Sequence, residues 1–185
     1  MFTFFKAAAP AAELADALWT QVRDSDMTRE LAAAASTESS HVETAFDEVV
    51  YFRGFATDLT IHRVFQRPNA DEAALRELFL QRLRDYAIAR RCSPCPVGDW
   101  LADSSDWQVH LQGRDTGDPL KHLSDRFELY IGAMRRPAKH IVPVVGVLCG
   151  LCDTRDISFA MLATSAFVDY SIHTQELLRK LRVKP

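Results

Sequence analysis

The sequence has no cysteine outside two Cys-x-x-Cys pairs, no sustained alternation of apolar and polar residues, no excess of either charge and no apolar run of membrane-spanning length. Each absence excludes a class. Without period-two alternation, half-wetted β-strands have no support, and the signals that remain are helical. A formal net charge of −3 supplies no general field for gathering nucleic acid, which is therefore not an expected partner. The longest apolar run, Ile141 to Cys152, contains Pro143 and Gly146, and the next, Ile157 to Val168, is set off from it by Asp153, Arg155 and Asp156. Two buried helices fit these runs better than one membrane span. Also missing are a glycine-rich phosphate loop, a Gly-x-Ser-x-Gly elbow and a His-Glu-x-x-His pair, so an enzymatic reading has no motif to rest on.

What is present suits one helical domain over residues 1–185. A hydrophobic share of 48% allows a sizeable core, and a charged share of 25% is ordinary for a globular chain. The amino terminus, Met1-Phe2-Thr3-Phe4-Phe5-Lys6, is too short and has the wrong charge order for a secretory signal. A cytoplasmic, reducing setting is expected, with the cysteines as thiols or metal ligands and not as disulfides.

Pro10 suits the first turn of a helix carrying Leu14, Leu18, Trp19 and Val22, which ends near Asp24 to Asp26, and Thr28 to Ala35 adds a short one. Residues 41–66 are interrupted only by Gly54. Their stripe of Val42, Ala45, Phe46, Val49, Phe52, Ala56 and Leu59 is joined by Val50, Tyr51, Phe55, Ile61, Val64 and Phe65 on much of the remaining circumference. A helix apolar on most sides is buried on most sides, so this one is expected to be the centre of the fold. Pro68-Asn69 closes it, and Asp71 opens a helix whose Leu75, Leu78, Phe79, Leu83 and Tyr86 face inward. Residues 92–118 form an irregular, proline- and glycine-punctuated loop. Asp118-Pro119 then opens a helix through Leu120, Leu123, Phe127, Ile131 and Met134, and the two apolar runs supply the last helices, ending near Leu181. The expected fold is all-α, an irregular bundle of six or seven helices around the long helix at about 41–66.

Three groups of residues are candidates for a site. Cys92, Cys95, Cys149 and Cys152 could together hold zinc as a tetrahedral thiolate set, although 53 residues separate the pairs and Cys149 and Cys152 also suit one face of an apolar helix. Cys92-Ser-Pro-Cys95 resembles the dithiol motif of thioredoxin-like proteins over four residues, but it follows a helix where that family has a strand. Asp58 with His62, and Asp169 with His173, share the pattern Asp-x-(Thr/Ser)-Ile-His. Each pair stands on one helix face, and two such pairs on neighbouring helices could supply oxygen and nitrogen ligands to zinc, iron or manganese. In the irregular loop, Trp100 and Trp107 are candidate anchors for a protein partner.

The functional expectation is a protein-binding module, an adaptor or regulatory subunit, with a metal-dependent enzyme or a Cys-x-x-Cys dithiol or zinc protein as the alternative. Whether the last two apolar helices pack within one chain or make a homodimer face is open at the level of sequence.

Overall fold

The computed structural model describes residues 10–35, 42–90, 118–135, 142–152, 154 and 156–180. Among them are seven helices and no strand: α1 (Ala11–Asp24), α2 (Asp26–Ala35), α3 (Val42–Val64), α4 (Ala70–Arg90), α5 (Pro119–Met134), α6 (Val142–Leu151) and α7 (Ile157–Lys180). No helix among the described residues is long and apolar enough to cross a membrane.

Local chemistry explains the helix starts. Asn69 and Glu72 form a reciprocal capping box at α4, each side chain accepting from the other's backbone N–H at 2.9 Å. Asp118 caps α5 by accepting from Leu120 N at 2.9 Å, with Pro119 at the first helical position. Asp156 does the same for α7 through Ser158 N at 2.8 Å. Ser25 accepts from Thr28 N at 3.3 Å and starts α2 two residues earlier than apolar spacing alone suggests.

The long helix is central, as its composition requires. Every residue from Glu48 to Asp58 is buried, and α3 packs against all six other helices. Its two sides feed two apolar clusters. One joins α3 to α2, α5, α6 and α7 around Phe52, Tyr130, Leu148 and Phe159; the other joins it to α1 and α4 around Leu14, Leu18, Tyr51, Phe79 and Leu83. Phe46 and Phe127 touch both. Stacking of Phe55 on Tyr130 at 5.1 Å, with Phe52 tilted against Tyr130 at 5.6 Å and Phe167 at 5.5 Å, gives the first cluster its aromatic centre.

Two departures from the apolar pattern have physical causes. The apolar series on α5 does not define its buried face: Leu120, Ile131 and Met134 are exposed, while Asp125, Arg126, Leu129, Tyr130 and Ala133 join Leu123 inside. The helix is turned so that Arg126 reaches a carboxylate on α3. The second departure is Arg53, buried in the middle of α3. Its guanidinium lies 3.7 Å from the Tyr170 ring centre on α7 and donates to the Val22 carbonyl and the Ser25 and Thr28 hydroxyls at the α1/α2 junction. Burial lowers its pKa to about 10, still well above neutrality, so α3 carries a buried cation that ties the α1/α2 turn to α7.

Candidate functional site

The last two described helices build an open apolar groove. The α6 sequence, VPVVGVLCGL, contains no charged residue, and Val144, Val147, Leu148 and Leu151 sink into the core against α3 and α7. On α7, Phe159, Ala163, Ala166, Phe167 and Tyr170 face the same core. Between the two helices lies a groove of about 820 Å³, with Val145, Gly146 and Cys149 on one wall and Ile157, Ala160, Met161, Thr164 and Ser165 on the other. A methyl group built on Gly146 would meet nothing within 4 Å, so that wall is open. Ile157 and Met161 are 76% and 70% exposed at its edge. Isolated exposed apolar residues are ordinary, but two large ones beside a groove of ligand-binding size are not.

The groove offers contact and little chemistry. Burial pushes the Cys149 thiol up to about 11, which leaves it a neutral, weakly nucleophilic group at physiological pH. Asp156, the one carboxylate among the lining residues, is engaged as the α7 cap.

A second cluster, of buried charge, lies where α3, α4 and α5 meet. Arg126 holds Glu48 bidentately, from Nε at 2.9 and 3.0 Å and from Nη2 at 2.7 Å, and His122 Nε2 stands 3.8 Å from the same carboxylate. Burial opposes ionisation of Glu48, but the Arg126 charge together with the His122 and Arg126 contacts outweighs it and holds the carboxyl below its usual pKa. Next to it, Asp47 accepts from the Tyr86 hydroxyl and from Arg90 Nε at 2.8 Å; burial dominates there and raises its pKa. These groups are mutually satisfied, the arrangement of a structural ion cluster. Sequence reading missed it, although a glutamate and an aspartate within a helix apolar on nearly all sides are a legible sign that buried cations must come from elsewhere.

The residues singled out from sequence fall as follows. Asp58 is buried on α3, and its carboxylate is gripped by Arg76 of α4 at 2.6 and 2.9 Å, an ion pair that spacing along one helix could not reveal. His62 is exposed at the edge of a smaller hollow of about 150 Å³ shared with Arg76. On α7, Asp169 is half-buried and His173 exposed, with His173 Nδ1 at 2.8 Å from the Asp169 backbone oxygen. Among the described residues no group of three or more His, Cys, Asp or Glu side chains is arranged to hold a metal ion, so the two Asp/His pairs do not converge on one. Cys149 and Cys152 are buried near the end of α6, the core placement their helical spacing allowed. Cys92, Cys95, Trp100 and Trp107 lie outside the described residues, and with them the four-cysteine zinc site and the tryptophan anchors.

Comparison with protein families, curated proteins and solved structures finds no match, so any functional reading rests on the geometry.

Proposed function

We propose that the protein is a helical binding module, an adaptor or regulatory subunit, which receives an apolar helix of a protein partner along the groove between α6 and α7. The observation that carries this reading is the exposure of Ile157 and Met161 beside a groove of about 820 Å³ whose lining is almost wholly apolar or small. A partner helix with anchors three to four residues apart matches such a surface, because its apolar face supplies the contacts while its polar face stays wet. Trp100 and Trp107 remain proposed as further apolar contacts of the same module.

Binding of the apolar fluorophore ANS by dilute protein tests the groove directly. Burial of each large aliphatic side chain is worth roughly 1.5–3 kcal/mol. Changing both Ile157→Gln and Met161→Gln should therefore weaken ANS binding by at least about tenfold, with the helical circular dichroism unchanged because both positions are exposed. Equal binding by the variant and the unaltered protein would remove the groove from the account.

A further inference from the structure

Resting on that reading, we propose that the partner received by the α6/α7 face is a second copy of this chain, docked with its α7 antiparallel. Ile157, Met161, Thr164, Ser165, Val168 and Ile172 fall on one side of α7, opposite the side that buries Phe159, Ala163, Ala166 and Tyr170. Ile157, Met161, Val168 and Ile172 are all exposed, the last two at 38% and 47%.

This stripe reads the same from either end. Counting outward from the midpoint between Thr164 and Ser165, the two small hydroxyl residues come first, then Met161 and Val168, then Ile157 and Ile172. An antiparallel pair with its twofold axis at that midpoint sets Ile157 of each chain opposite Ile172 of the other, and Met161 of each opposite Val168 of the other. An interface between like copies must be self-complementary in this way, whereas a surface shaped for an unrelated partner has no reason to be. Small residues at the centre let the helices approach, and the larger ones fill the widening ends. None of the six carries a charge, so no like-charge contact is forced across the axis.

The dimensions agree with a dimer of modest strength. Fifteen residues separate Ile157 from Ile172, a length of about 23 Å at the α-helical rise, and stripe plus groove together span about two helix diameters. The resulting face of about 500 Å² per chain lies at the lower end of specific interfaces, so association should depend on concentration in the micromolar range.

Sedimentation equilibrium tests both the partner and the register. The full chain should be dimeric at tens of micromolar and dissociate on dilution. Met161→Lys should weaken the dimer by about tenfold or more, because each twofold-related contact gains an unpaired charge in an apolar setting. Adding Val168→Glu to that variant should restore association, since the two new charges stand opposite one another only across the antiparallel axis. Residues 161 and 168 are two turns apart within one helix, so their mutual effect inside a single chain is small. A dimer insensitive to Met161→Lys, or a double variant no better than the single one, would overturn the proposal. So would a protein that stays monomeric throughout. In that last case, ANS binding lost on changing Ile157 and Met161 to glutamine would leave the docking groove standing for a different occupant, whereas no ANS binding would remove the groove as well.

Discussion

At the scale of single residues, the strongest commitments lie in charges brought into the core. Glu48 and Arg126 are buried almost completely and satisfy one another. Removing one partner leaves the other charge uncompensated, so Glu48→Gln should destabilise the fold by about 3–5 kcal/mol in denaturant unfolding. The combined change Glu48→Leu and Arg126→Leu should cost much less than either single change, because it removes the desolvation penalty along with the attraction. A double variant as unstable as the sum of the singles would show that the two charges contribute independently, with no coupling between them. The pH dependence has a definite sign. Glu48 has a folded-state pKa below its unfolded value of about 4.3, so its contribution is fully present above that value and is lost as pH falls through the folded value. Asp47, raised by burial, works in the opposite direction and partly offsets that acid loss. The acid sensitivity of the midpoint should therefore steepen in Asp47→Asn, as followed by thermal unfolding across the carboxylate range. None of these pairings was legible in sequence. Spacing along a helix shows which residues share a face, but Arg126 lies 78 positions from Glu48 and Arg76 lies 18 from Asp58. Asp58 was visible as a carboxylate in an apolar stripe, and its true partner was not His62, four residues away, but an arginine on another helix.

At the scale of elements, the positions of the helices were largely readable because caps and prolines mark them. Asp118 and Pro119 act at the end where the residue types place them, while Asn69, expected to close α3, caps α4, which starts at Ala70 and not at Asp71. The rotation of a helix is harder to read. On α5 the apolar series points partly outward because the Arg126 ion pair decides which face turns in, and a polar residue with a buried partner reads in sequence as a solvated one. Glycines test the packing between elements. A methyl group at Gly54 would stand 2.8 and 3.0 Å from the Leu83 methyls, and Leu83 is fully buried with nowhere to retreat. Overpacking of about 1–3 kcal/mol then exceeds the gain of about 1 kcal/mol in helix propensity, so Gly54→Ala should be net destabilising. Gly132 on α5 has nothing within 4 Å of such a methyl, and Gly132→Ala should stabilise by roughly 0.5–1 kcal/mol. The opposite signs are checked in one series of unfolding curves; stabilisation by both changes would mean that α3 and α4 lie further apart than described.

At the scale of the whole molecule, a buried α3 serves as a scaffold against which α6 and α7 are fixed, and the outward side of that last pair is the apolar surface to which function is assigned. The sequence announced the two apolar runs but not which of their residues would remain outside, because composition alone does not distinguish Phe159 or Phe167, buried against α3, from Ile157 or Met161, left in water. That difference needs the angle at which α7 lies on its neighbours. The most direct measurement is methyl NMR of the methionines, since Met161 stands on the proposed contact face while Met27 and Met134 lie elsewhere. On raising the protein concentration from dilute solution, the Met161 methyl resonance should shift or broaden while those of Met27 and Met134 hold still. Adding ANS to dilute protein should likewise move Met161 alone. A Met161 signal unchanged in both titrations, with Met134 or Met27 responding instead, would contradict the assignment of the α6/α7 face as the binding surface.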